Sequence, residues 1–229
     1  VLEPLPGYVA TLRPGEGRFG GAVAVEEGTE NLVYTPDFST YQGYSGLDVQ
    51  IIDDPRSFTG KVLRAVCVDS SINQAARVGT STDGVENGTF SVYIRAIGSA
   101  VGAKPRVYFG SDGSGWVDSD LVLTPEFQRL VLTGISTNGE ARVGLQYGRW
   151  EVGAGIEIHS PQLEAKPFAT SFVDGTRAAG RLSYPKSLIA GLNALTVAVW
   201  TSGPPYWVSG HKYLVAAQTS GTGTYGDIF

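Results

Sequence analysis

The sequence predicts an all-β protein, a sandwich of antiparallel strands with an N-terminal connector and a short β-rich C-terminal extension. Three observations carry that expectation. The 229 residues hold 31 glycines and 12 prolines, spread without low complexity, which marks many turns between short strands. Phe90-Ser-Val-Tyr-Ile-Arg95 alternates strictly, with Phe90, Val92 and Ile94 on one face and Ser91, Tyr93 and Arg95 on the other, the period of a half-buried strand. Asp83-Gly84, Asn87-Gly88, Asp112-Gly113 and Asn138-Gly139 are turn dipeptides, because Asn, Asp and Gly tolerate positive φ.

Taken in order, residues 1–27 open with Pro4, Pro6 and Pro14 and run into Gly20-Gly-Ala-Val-Ala-Val25, a connector ending in a first strand. A central domain over 28–175 contains strand-like runs at Lys61 to Val68, Phe90 to Arg95, Arg106 to Phe109, Leu130 to Thr133, Ala141 to Tyr147 and Gly155 to His159. Their spacing is that of a sandwich. A β-rich tail occupies 176–229. Cys67, in Leu63-Arg-Ala-Val-Cys-Val68, is a single thiol among apolar neighbours and reads as a buried strand position.

Composition removes several function classes. An apolar fraction of 42% fills an ordinary core. A net charge of −5 without basic runs lacks the footprint of nucleic-acid binding. No apolar run approaches the roughly 20 residues of a membrane span, and the N-terminus has no basic flank, so membrane insertion is not expected. The absence of methionine points to a processed product or a piece of something longer. Few thermolabile residues suggest a thermophilic source.

Glu30-Asn-Leu-Val-Tyr-Thr-Pro-Asp-Phe38 at the start of the central domain, Ser160-Pro-Gln-Leu-Glu-Ala-Lys-Pro-Phe-Ala-Thr-Ser-Phe-Val-Asp-Gly-Thr-Arg177 at its end, and Phe90 to Arg95 with Pro125 to Val131 between them form a pattern. In that order it resembles the jelly-roll carbohydrate-binding modules, in the variant found in bacteriophage tail and other virion proteins. Leu192-Asn-Ala-Leu-Thr-Val-Ala-Val-Trp200 resembles the opening strand of a laminin-G or concanavalin-like sandwich. The resemblance implies a jelly-roll sandwich. It also implies a virion structural role in a tail, fibre, baseplate or capsid decoration, through subunit assembly or adhesion to host glycans.

Catalytic chemistry has no motif. His159 and His211 are not spaced as a metal pair, no nucleophile elbow or phosphate loop occurs, and Glu157-Ile-His-Ser-Pro161 places His159 opposite Ile158 as a surface or hydrogen-bonded histidine. Carboxylate pairs suited to glycoside hydrolysis would come from Glu26-Glu27, Asp53-Asp54, Asp112 with Asp118 and Asp120, or Glu151 with Glu157, most in turns or on outward faces. No enzyme is expected and no cofactor is required. Glu27, Glu30 and Glu164 are the acids for a structural calcium of the kind that pins chain ends in the resembled modules.

Aromatic side chains are the better clue, since sugar rings stack on flat faces. Trp116, in Gly110-Ser-Asp-Gly-Ser-Gly-Trp116, sits in a glycine-rich loop; Tyr147 and Trp150 flank Gly148-Arg149; Tyr41 and Tyr44 crowd an early segment. Expected partners are further copies of the chain, with a trimer favoured as in fibres, other virion proteins and a polysaccharide. The alternative is a carbohydrate-binding module of a secreted polysaccharide-degrading enzyme, with an enzyme on the sandwich itself third. The location is accordingly the virion or, on the alternative, the extracellular space.

Overall fold

The computed structural model describes residues 3–4, 11–14, 21–24, 28–43, 46–69, 77–110, 115–137, 139–146, 150–178, 182–183, 216–218 and 225–227. The chain forms two compact units, one of Pro4–Thr11 with Ala24–Leu182, the other of Val1–Glu3, Leu12–Val23 and Ser183–Phe229. The segment Leu192 to Trp200 lies outside the described residues.

In chain order the short strands β1 (Glu3–Pro4), β2 (Thr11–Pro14), β3 (Gly21–Ala24) and β4 (Thr29–Glu30) precede β5 (Gln42–Gly43), β6 (Leu47–Asp53), β7 (Lys61–Cys67), β8 (Arg77–Ser81) and β9 (Val85–Ile97). Then come β10 (Pro105–Phe109), β11 (Gly115–Asp118), β12 (Gln128–Thr137), β13 (Glu140–Leu145) and β14 (Gly155–Glu164), followed by β15 (Thr176–Arg177), β16 (Leu182–Ser183), β17 (Ala216–Gln218) and β18 (Tyr225–Asp227). β2 pairs with β3, and β17 with β18, as two-stranded ribbons.

Two five-stranded antiparallel sheets make the jelly-roll sandwich of the larger unit. One runs β12-β9-β14-β7-β6, the other β11-β10-β13-β8-β5. Alternation decides what lies between them: Leu63, Ala65 and Cys67 of β7, Phe90, Val92, Ile94 and Ala96 of β9, and Ile156 and Ile158 of β14 face Val78, Val107, Phe109, Ala141, Val143 and Leu145 of the other sheet, all buried. Phe90 and Phe109 meet edge to face with centroids 5.5 Å apart, a favoured aromatic geometry that ties the sheets together. Burial raises the Cys67 thiol pKa, as its apolar setting leads one to expect.

Two sequence expectations change. Asn87-Gly88 is not a turn: it lies inside β9, where Asn87 adopts φ 54° and the register with β12 slips beside Gly134 at φ 67°. The positive φ that a turn would have used makes a bulge instead. The run ending at His159 continues to Glu164, because β14 takes up Ser160 (φ 48°) and Pro161 as a register shift between His159 and Gln162. A proline without a donor is tolerated there.

The opening and closing sequence phrases meet as one buried polar latch. Glu164 is fully buried; its Oε1 accepts hydroxyl hydrogens from Thr29 (2.6 Å) and Thr170 (2.7 Å), and its Oε2 accepts from Gln162 Nε2 (2.7 Å) and the Thr170 amide (2.9 Å). Asn31 donates from Nδ2 to the carbonyls of Pro161 and Val173, both at 3.1 Å, while its Oδ1 accepts from the amides of Val33 and Leu163, also at 3.1 Å. Asp37 caps the turn at Ser39, and Phe38 next to it, at φ 59°, is buried in the core. Each phrase thus fills hydrogen-bonding capacity that burial would otherwise leave costly.

Candidate functional site

The solvent face of the sheet β12-β9-β14-β7-β6 carries the richest chemistry. Alternation puts Tyr93 and Arg95 of β9, Glu157 and His159 of β14 and Arg64 of β7 on the side away from the core. Register sets them shoulder to shoulder, with Glu157 opposite both Arg64 and Arg95, and His159 opposite Tyr93.

Glu157 is fully buried between two guanidinium groups. Arg64 Nε donates to Oε1 at 2.6 Å and its Nη2 stands 2.5 Å from the same oxygen; Arg95 engages Oε2 through Nε and Nη2. Such charge-assisted forks hold a carboxylate that burial alone would disfavour. The Arg64 side chain remains 40% exposed and that of Arg95 20%. They border an open cleft of about 400 Å³ whose other walls include Val66, Ile97, Val101 and Pro125.

Two residues further along the strands, about 7 Å away, the face becomes aromatic. His159 stacks on Tyr93 with centroids 4.9 Å apart and planes 4° from parallel, and Phe127 meets its ring edge-on at 4.5 Å. Arg95 and Arg56 lie over the Phe127 ring at 4.7 and 5.1 Å, within cation–π range. Phe58 stands in a tight loop after β6 that Asp54 organises: its carboxylate accepts the Arg56 amide at 2.9 Å and the Arg56 guanidinium at 2.5 Å. These bonds from Arg56 hold the Asp54 carboxyl far below the usual carboxylate range. Phe58 packs flat against Phe172, 5.6 Å between centroids, and edge-on against Tyr93 at 5.4 Å. Even so, it keeps 63% of its surface in solvent.

Of the two settings the sequence leaves open for His159, surface or hydrogen-bonded, the structure has the second: its Nδ1 lies 3.0 Å from Ser160 Oγ, and Phe58 and Phe127 cover the ring. Burial pushes its pKa down to about 4, aided by Arg56 and Arg95 and opposed by Asp54. From pH 6.5 down to 4 the unfolded chain therefore binds a proton that the folded chain refuses, and stability falls as the pH falls. The expected loss is on the order of 2–3 kcal/mol. Thermal melts between pH 7 and 4 check it: His159→Phe, which keeps a ring but cannot ionise, is expected to flatten that dependence, and an unchanged pH profile would refute the assignment.

The aromatic residues singled out from sequence do not assemble into one site. Trp116 belongs to β11, not to a loop, and lies half-buried on the opposite sheet, with the Arg106 guanidinium 3.9 Å over its ring and Tyr108 edge-on at 5.5 Å. Tyr41 is exposed beside β5, at the other edge of that sheet. Trp150 is 1% exposed in the core, so its ring offers no face to a ligand. Tyr44 and Tyr147 lie outside the described residues, as do Glu27 and the Glu26–Glu27 and Asp112 carboxylates.

Of the acids proposed for calcium, Glu30 is exposed in β4, whereas Glu164 has both oxygens filled by four donors of the latch. Among the described residues no group of three His, Cys, Asp or Glu could hold a metal ion. Four described acids from the carboxylate pairs are tied to cations: Asp53 to Lys61 at 2.6 Å, Asp54 to Arg56, Asp120 to Lys104 at 2.7 Å and Glu157 to its two arginines. Glu157 is the single carboxylate among the described residues lining the cleft. Its forks leave no lone pair directed for proton transfer.

No protein-family model matches the chain, and no curated protein sequence matches it. Solved structures with distant likeness include the CBM22-1 xylan-binding domain of Xyn10C from Paenibacillus barcinonensis, 12% identical over 62% of this chain and 97% of that chain, with a TM-score of 0.40. The tandem CBM22-1–CBM22-2 domain of the same protein is 13% identical over 66% of this chain and 48% of that one, at 0.43. TmCBM61 in complex with β-1,4-galactotriose is 12% identical over 58% and 97%, at 0.39.

Proposed function

We propose that the chain is a non-catalytic carbohydrate-binding module that seats a polysaccharide across the solvent face of the sheet β12-β9-β14-β7-β6. The observation that carries this is Phe58, exposed over a cluster of stacked rings beside a cleft bordered by Arg64 and Arg95. Flat apolar ring next to planar donors is the combination a sugar requires, C–H faces on one and hydroxyls on the other. A molecule that works this way meets its ligand outside a cell, as a module attached to a secreted enzyme would. No helix among the described residues is long and apolar enough to cross a membrane. Glycan binding takes precedence over the virion role that the sequence resemblance implies, because the phrases that carry that resemblance form the internal latch rather than a surface for assembly.

Calorimetric titration against a panel of plant and microbial oligosaccharides tests the proposal. At least one is expected to bind, and Phe58→Ala to weaken it about tenfold, the loss of roughly 1.4 kcal/mol from one stacking ring. Trp116→Ala is expected to leave binding unchanged. A panel without a ligand, or binding lost with Trp116 and kept without Phe58, would overturn the assignment. Light scattering on the same sample gives the mass: a stable trimer that binds no glycan would return the chain to virion assembly.

A further inference from the structure

We propose that the cleft beside Glu157 selects a glycan bearing carboxylate groups, that is, a chain containing hexuronic acid residues, with Arg64 and Arg95 as the selecting side chains. This rests on the glycan-binding proposal and names the ligand class.

Two guanidinium groups face one carboxylate here, leaving one positive charge in excess. Each arginine commits Nε and Nη2 to Glu157, and no other hydrogen bond from either involves the described residues, so Nη1 of each retains its donors. Both side chains border the cleft and are partly exposed. Glu157 therefore acts as a splint: it fixes two guanidinium planes from below and leaves their far edges for a ligand. A fixed planar donor edge with uncompensated charge matches a carboxylate better than a hydroxyl, since the hydrogen bonds are charge-assisted and the rotamers are already ordered. Arg129 adds a further cation on the same face, 5.7 Å over the Tyr93 ring and bound to Ser91 Oγ and the Thr170 carbonyl.

Two acids lie at the margin. Asp48 of β6, at the register of Val66, is exposed and accepts from Gln50 Nε2 at 3.0 Å; Glu126, next to Pro125, is exposed. Neither forms an ion pair with Arg64 or Arg95 among the described residues. They lower the local potential without occupying the donors, so removing the Asp48 charge should sharpen the selection.

The test compares three probes on the intact chain by calorimetry at low and high salt: an oligogalacturonate, the same oligomer fully methyl-esterified, and a neutral cello-oligosaccharide of equal length. The acid form is expected to bind at least tenfold more tightly than its ester, with the margin shrinking as salt screens the exposed part of the interaction. Arg64→Gln should weaken binding of the acid form far more than that of the neutral probe, so that most of the margin disappears. Asp48→Asn, a surface change with little bearing on folding, should widen the margin severalfold. Equal binding of acid and ester, or Arg64→Gln lowering both alike, would overturn the selection while leaving glycan binding intact. Failure of all three probes, with binding found for none of the wider panel, would instead sink glycan binding itself. A sulfated oligosaccharide, run as a fourth probe, that equalled the uronate would overturn the preference for carboxylate.

Discussion

Glu164→Ala is expected to lower the melting temperature by about 10 °C. The substitution strips four hydrogen bonds at once; it leaves the Thr29 hydroxyl and the Thr170 backbone N–H buried without acceptors, and the Thr170 hydroxyl and Gln162 Nε2 with only longer bonds, the shortest to the Ser171 carbonyl at 3.2 and 3.3 Å. An orphaned buried polar group costs about 1–3 kcal/mol. Because the groups are neighbours and can partly re-pair, a total of about 3–5 kcal/mol is the reasonable expectation, and each kcal/mol is about 2–4 °C in a domain of this size. Glu164→Gln should recover little, since it turns a donor toward donors. Scanning calorimetry reads the shift. Limited proteolysis adds a second readout, as the latch restrains the stretch from Lys166 to Arg177, which carries Phe172 to the binding face. A shift under about 2 °C with no new cleavage would mean that the latch is not what closes the domain.

Glu157→Ala is expected to cost about 2–3 kcal/mol in urea unfolding, less than the 3–5 kcal/mol of a fully enclosed ion pair, because Arg64 can turn to water while Arg95 stays packed against Phe127. The informative companion is the double variant Glu157→Leu with Arg95→Met. Replacing charge and counter-charge together by apolar groups of similar size is often near neutral, so stability should return to within about 1 kcal/mol of the parent. Binding of the oligogalacturonate should not return with it, since a selecting guanidinium is gone. Were the double variant as unstable as Glu157→Ala, the network's contribution would lie in packing rather than in pairing of charge.

Local pattern settled much of this molecule. The alternation of Phe90 to Arg95 identified which side chains of β9 face the core, and the same arithmetic at Gly155 to His159 set Ile156 and Ile158 against Glu157 and His159. That Tyr93 and Arg95 look outward is therefore legible in the sequence alone. So is the burial of Cys67. The pairing of the opening and closing phrases was visible as a pattern. Its cause was not, because a hydrogen bond between Thr29 and Glu164 spans 135 residues and nothing in the spacing of either phrase names the other as partner.

The site itself was decided by strand order. Arg64, Arg95 and Glu157 sit on three strands separated by tens of residues, and only the neighbour relations β9-β14-β7 bring them into one row. Phe58 sits in a loop closed by its own local hydrogen bonds between Asp54 and Gly60, but Phe172, the ring it packs flat against, arrives on a closing segment held from β14 by Gln162 through the Val173 amide. The partial burial of Trp116 and the full burial of Trp150 have the same origin. Glycines around a tryptophan predict exposure when only neighbours in sequence are considered, but a ring's burial depends on what packs over it, here Arg106 for one and the core for the other. The sequence by itself determined the strands, their faces and the sandwich class, because those depend on periods of two and on turn chemistry that act within a few residues. The three-dimensional structure decided which faces adjoin, which charges are shared and which rings remain in water, because those depend on contacts between residues far apart in the chain.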